Sequence, residues 1–170
     1  MLCRGPALFL ALLAAAGALK ERSTGFDFPQ KSGLGSLRSL GVRKKGPIKV
    51  YAVGLYENNF SGKAFVLRMA MGVSAAKMTG ALVDAVRPRL SGDAKALDDF
   101  AALLTKGLPQ GCKRDMCLTF GTSGGKLSVN VDGKNVGSVS SKPLALAFEG
   151  VYCDKNAVCC LNPVDENCKE

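Results

Sequence analysis

The 170-residue chain contains no histidine, and its cysteines are nowhere spaced as the C-x2-C knuckle of a zinc site. No metal and no cofactor are therefore expected. Beyond the first eighteen residues no run approaches the ~20 apolar residues that a membrane-spanning helix requires, so no integral span is expected either. Nucleic-acid signatures are also missing. The formal charge is +9, but the one dense basic run, Arg43-Lys44-Lys45, has no interleaved aromatics and belongs to no nucleic-acid-binding motif. A solvated basic face is the plain account of that charge. Nucleotide loops fail as well: Gly33-Leu34-Gly35 lacks a third glycine and a preceding strand, and Gly121 to Lys126 has the wrong glycine spacing.

What is present fits one globular domain, with 47% hydrophobic and 22% charged residues. Residues 1–18 combine a basic start with the apolar stretch from Ala7 to Ala18 and small residues suited to cleavage, the pattern of a signal peptide. The expected organisation is this leader, a domain over 19–158, and a cysteine-containing tail over 159–170. Cys3 would leave with the leader, and the remaining six, Cys112, Cys117, Cys153, Cys159, Cys160 and Cys168, are disulfide candidates in a secreted chain. Asn59-Phe60-Ser61 is a glycosylation sequon that suits the same route. The expected address is the secretory pathway, secreted or in the ER lumen. A leader followed by the basic, hydroxyl-bearing segment Lys20 to Ser23 also fits a two-part plastid signal.

Residues 20–40, rich in Ser, Gly and basic side chains, read as a flexible lead-in that ends in an edge strand. From Ile48 to Tyr56 side chains alternate without a polar face, so this strand should be central, with core on one side and a second apolar layer on the other. Arg43 precedes Tyr51 across a Gly-Pro step. A guanidinium and a phenol beside apolar surface are what a site for an organic anion uses. Ala64 to Met71 form a second strand. Ala75, Met78, Leu82, Ala85 and Val86 then recur at helical spacing up to Pro88, and Asp93 can cap a second helix ending near Gly107. Three strands follow, over 115–121, 126–132 and 135–140, with Asp132-Gly133 as a hairpin signal. Ser141 can cap a last helix carrying Leu144, Phe148 and Val151. The result is an α+β fold, an antiparallel sheet with α-helices packed on one face.

The segments Gly41 to Lys45 and Lys49 to Tyr56, the Pro88-Arg89-Leu90 stop, and the block from Gly125 through Asp132-Gly133-Lys134 to Phe148-Glu149-Gly150-Val151-Tyr152 resemble the chalcone-isomerase-like superfamily. That superfamily, an open-faced sandwich of sheet and helices, includes plant chalcone isomerases and fatty-acid-binding proteins. The resemblance implies that Arg43 and Tyr51 are the ligand-binding pair, with Arg38 a rival for the arginine's role and Lys77 a further match on the first helix. In the isomerases a hydroxyl and amide network completes the catalytic site, but its positions fall here at Ser74, Ala81 and near Gly150. Alanine and glycine have no side-chain donor. The expectation is therefore a monomeric, non-catalytic binder of a fatty acid or similar amphipathic carboxylate, held in a cleft between sheet and helices. The alternatives are a chalcone–flavanone isomerase-type lyase and a disulfide-stapled interaction protein with a vestigial pocket.

Overall fold

The computed structural model describes residues 17–58 and 62–164. Asn59, Cys168 and the first sixteen residues of the expected leader lie outside them. The chain begins with two short antiparallel strands, β1 (Ala18–Lys20) and β2 (Asp27–Pro29), and then β3 (Lys31–Ser32) leads into the main sheet. That sheet is built from β4 (Gly35–Lys45), β5 (Ile48–Glu57) and β6 (Lys63–Met69). It continues, after two helices, with β7 (Cys117–Gly121), β8 (Lys126–Val131) and β9 (Lys134–Ser140). The helices are α1 (Ala75–Val86), α2 (Ala94–Gly107) and α3 (Lys142–Cys153), and a last strand, β10 (Leu161–Pro163), follows. The strand order is β10-β4-β5-β6-β7-β8-β9, with every neighbouring pair antiparallel and β3 also on β4.

Local chemistry sets the boundaries. Gly46 takes φ +58° between the paired residues Lys45 and Ile48, and Pro47 follows it, so the β4–β5 loop has the glycine-first pattern of a tight two-residue hairpin. Ser74 accepts the amide of Lys77 to start α1, and Pro88 sits in the 3-10 turn Arg87–Arg89 that closes it. Asp93 accepts the amide of Ala96 at the head of α2, and Ser141 accepts that of Leu144 at the head of α3. Ser141 Oγ also donates to Asp93 Oδ2 over 2.6 Å, so one hydrogen bond joins the two caps.

The central strand has no polar face because both of its faces are covered. Tyr51, Val53 and Leu55 point to the helices and join one core with Phe65, Phe100, Phe120, Phe148 and Tyr152. Phe148 lies at the middle of this group, with ring centroids 4.7 to 5.9 Å from Phe65, Phe100, Phe120 and Tyr152. Ala52 and Tyr56 point the other way, onto Phe26 and Phe28. The segment read as a flexible lead-in is therefore a folded β1–β2 hairpin that seals the second face. Gly54 permits this approach: a Cβ there would lie 2.7 Å from the Phe28 ring. The apolar anchors within the segment outweigh its polar composition, because each aromatic buried against β5 contributes on the order of 1.5–3 kcal/mol.

The tail also differs from expectation. Leu161, Asn162 and Pro163 pair with Gly41, Leu40 and Ser39, so the sheet gains its outermost strand from residues beyond 158. Among the described residues no helix is long and apolar enough to cross a membrane.

Candidate functional site

Ladder register brings the expected pair together, since Arg43 on β4 is the direct cross-strand partner of Tyr51 on β5. The register shifts immediately beyond them, where Lys44 pairs with Lys49 and leaves Val50 as the extra residue of a β-bulge. The bulge returns Val50 to the helix-side core beside Tyr51. Lys49 is turned the other way, where its Nζ donates to the carbonyl of Ser23 in the N-terminal hairpin. Strict alternation along β5 would place Lys49 on the face of Tyr51, and the bulge is why it is not there.

The Tyr51 phenol meets a second one. Its oxygen lies 3.1 Å from that of Tyr152, which comes from the last turn of α3. Both side chains are buried, and the Tyr152 ring stacks on Phe65 at 5.1 Å between centroids. Burial pushes the Tyr51 phenol up to about 12, against an opposing pull from its hydrogen bond and from Arg43, and it drives Tyr152 well above the ordinary phenol value. Both are neutral hydroxyls at physiological pH, and since one O–H is spent in the bond between them, the other remains as a donor for an anion.

Arg43 is half-buried, and its Nη1 donates to the main-chain carbonyl of Val158 over 2.5 Å. This carbonyl belongs to the segment 154–164, which leaves α3 and crosses to β4. The segment is tied down at several points. Val158 N donates to Val151 O, and Arg89 bonds both Asp154 and the carbonyl of Asn156. Gly41 lies beneath it, where a Cβ would stand 2.4 Å from the Cys160 carbonyl oxygen. Cys159 turns inward, its thiol raised to about 11 mainly by burial and opposed by the charge of Arg43. Arg43, Tyr51, Tyr152 and Cys159 thus form one cluster under a strap of main chain.

A cleft of about 400 Å³ touches this cluster through Tyr152 and Cys159 and is lined as well by Ser39, Leu55, Asp154, Lys155 and Leu161, whereas neither Arg43 nor Tyr51 lines it. Its place is the edge of the sandwich, where the strap and the end of α3 cross β4 and β5. Tyr51 faces Met69 across the β5–β6 ladder, and both belong to the packed helix-side core with Phe65 and Phe148. A second cleft, of about 470 Å³, lies between α2 and β9 with Asp93, Lys95, Asp99 and Ser138 on its wall, away from Arg43.

The rival residues do not reach the cluster. Arg38 is the extra residue of a second bulge, between Leu37 and Ser39, and its exposed side chain pairs with Glu57 at 3.5 Å. Lys77 is exposed in the first turn of α1. The described cysteines depart from the expected disulfide framework, for Cys112, Cys117, Cys153, Cys159 and Cys160 are all free. Cys112 belongs to the helix-side core, whereas Cys117 lies on the opposite face of β7 from the buried Leu118 and Phe120, so these two cannot meet across the sheet. Cys153, Cys159 and Cys160 surround the edge cleft without bonding. Sequence reasoning missed Tyr152 and the strap. Tyr152 stands four residues after Phe148, on the apolar stripe of α3, and that spacing was a usable signal.

An Arabidopsis thaliana fatty-acid binding protein superposes on this architecture with a TM-score of 0.74 over 84% of this chain and 91% of its own, at 21% sequence identity. The chain has the chalcone-isomerase-like fold. No protein-family model and no curated protein matches the sequence. Within this fold, the strap and the N-terminal hairpin enclose the strand pair β4–β5 from opposite sides.

Proposed function

We propose that the protein binds a fatty acid or similar amphipathic carboxylate without transforming it, with Arg43 as the cation and the Tyr51 phenol as a neutral donor. The observation that carries this reading is the cross-strand pairing of the two residues, with the guanidinium held by a main-chain carbonyl oxygen. That oxygen occupies an acceptor position a carboxylate oxygen would take more strongly, because charge-assisted bonds are the stronger kind. The neighbour that shares the fold is itself a fatty-acid binding protein. A cleft of about 400 Å³, which meets the pair's neighbours Tyr152 and Cys159, lies within the usual size of small-molecule sites, roughly 300–1,000 Å³. Each acyl methylene buried there would contribute about 0.8 kcal/mol and the arginine roughly 1.5–3 kcal/mol, so the tail supplies affinity and the pair sets orientation.

The positions that the resemblance matches to an isomerase network are committed elsewhere. Ser74 caps α1, Ala81 is exposed, and an added Cβ at Gly150 would meet the Arg89 side chain at 3.2 Å. Titration calorimetry with a long-chain fatty acid and its methyl ester tests the reading. The acid should bind more tightly than the ester, and Arg43→Ala should weaken the acid by about 10- to 150-fold while leaving the ester unchanged. Equal binding of acid and ester would remove the arginine's role. Flavanone formation from a chalcone, lost in Arg43→Ala, would replace the binder with an enzyme.

A further inference from the structure

The tip of the β4–β5 hairpin is a run of exposed residues, Lys44, Lys45, Gly46, Pro47, Ile48 and Lys49. Ile48 is 53% exposed and is one of three large apolar side chains open to solvent among the described residues. A second, Met71 at 37%, follows the end of β6. The Ala70 amide donates to the Val50 carbonyl, so β6 leads Met71 out at the end of the sheet where Ile48 projects. Around these apolar groups the charge is mainly basic, with Asp115 beside Arg114 as the acidic exception. Among the described residues no carboxylate forms an ion pair with Lys44, Lys45 or Lys49. The ladder sets Lys44 directly across from Lys49, a like-charge pairing that costs stability in the free protein. The neighbouring loop adds exposed Lys113 and Arg114, delivered to this end by the bond from Asp115 N to the Met69 carbonyl.

A tight hairpin with an apolar apex and unneutralised ammonium groups has the chemistry of an interfacial anchor. The aliphatic side chains enter the acyl boundary, and the lysines stay at the level of anionic headgroups, each adding to the attraction. We propose that the β4–β5 tip, with Ile48 and Met71 as the inserting side chains and Lys44 and Lys45 as the headgroup contacts, docks the protein on anionic lipid bilayers. This docking stands without the ligand reading. If both hold, the bilayer lies one residue along β4 from Arg43.

Flotation of the full chain with phosphatidylcholine vesicles, with and without phosphatidylserine, tests the proposal. The apolar stretch from Ala7 to Ala18 is common to every variant, so the differences between variants are what is read. Binding should require phosphatidylserine and fall in molar salt. Lys44→Ala with Lys45→Ala should weaken it by about 25-fold, at about fivefold per lysine. Ile48→Ser should weaken it by roughly tenfold or more, and Leu146→Ser, on an exposed position of α3, should leave it unchanged. Urea midpoints should stay level in Ile48→Ser and Leu146→Ser, since both positions are exposed, and should rise slightly in the lysine variant, which removes the Lys44–Lys49 like-charge pairing. Three results would overturn the proposal: equal binding to neutral vesicles, indifference to Ile48→Ser, or binding to heparin or duplex DNA that depends on the lysines and not on Ile48.

Discussion

Tyr51→Phe removes one hydroxyl from a pair that the fold seals away from water, and leaves the other without a partner. Tyr51 is 5% exposed and Tyr152 2%, so water cannot replace the lost group in the closed state. An orphaned buried hydroxyl costs about 1–3 kcal/mol, whereas removing both partners is close to neutral. Each single variant, Tyr51→Phe or Tyr152→Phe, should therefore lose about 2 kcal/mol in urea denaturation at pH 7, a sizeable share of a domain's roughly 5–15 kcal/mol. The double variant should lose no more than either single one. The cycle then yields a coupling of roughly 1–3 kcal/mol. Alkaline titration provides a second readout. The folded Tyr51 phenol ionises at about 12 instead of its ordinary 10. The unfolded chain therefore gives up the proton first, and the stabilisation is whole below pH 10 and lost as pH rises to about 12. At up to about 1.4 kcal/mol per pH unit the Tyr51 share of the loss reaches roughly 3 kcal/mol, and Tyr51→Phe should make the alkaline limb shallower, with the buried Tyr56 and Tyr152 phenols supplying what remains. Additive single effects, together with an alkaline limb unchanged in Tyr51→Phe, would show that the two hydroxyls are solvated and refute the argument.

Gly41→Ala places a Cβ 2.4 Å from the Cys160 carbonyl oxygen, so it should cost about 1–3 kcal/mol. It should also speed amide exchange in residues 158–163, with β7 to β9 still protected; unchanged exchange would mean that the strap yields freely. Ser141→Ala removes the cap of α3 and the bond to Asp93, for an expected loss of about 1 kcal/mol in urea. That bond, with the Ala96 amide, holds the Asp93 carboxyl below its ordinary value. Its stabilisation is present at neutral pH and lost as pH falls through the carboxylate range, and the acid limb of an unfolding series should be shallower in Ser141→Ala. Iodoacetamide at pH 7, mapped by peptide mass spectrometry, should reach exposed Cys153 and Cys160 well before Cys112 and Cys159, which are buried and raised to about 11. Early alkylation of Cys159 would show that the strap opens.

Element order was readable because periodicity and caps coincide. Ser74, Asp93 and Ser141 each stand where their helices begin, and the Asp132-Gly133 hairpin joins β8 and β9 as its residues require. The absence of a polar face in β5 correctly implied a second apolar layer, but nothing local identified that layer. Phe26 and Phe28 sit in a polar stretch, and only the tertiary fold shows that they cover Ala52 and Tyr56. The bulges at Arg38 and Val50 were also hidden, because each adds one residue without any distinctive side chain. They decide the fate of three cations, turning Arg38 outward to Glu57, Lys49 to the hairpin, and Arg43 toward the tyrosines. The strap escaped notice because its density of cysteines suggested covalent stapling, while its actual attachments are main-chain bonds and the arginines 43 and 89.

The bond between Arg43 and Val158 joins residues 115 positions apart, and it shapes the order of events during synthesis. While the ribosome is still making α3, β4 has no β10 on its outer edge, the guanidinium has no carbonyl to hold, and Tyr51 has not met its phenolic neighbour. Non-local closures of this sort come late, after the sheet and helices have already collapsed. A nascent chain therefore carries the anchor arginine bare until the final stretch emerges, and truncation near residue 150 should leave β4 to β9 paired, with β10 missing and the site unmade.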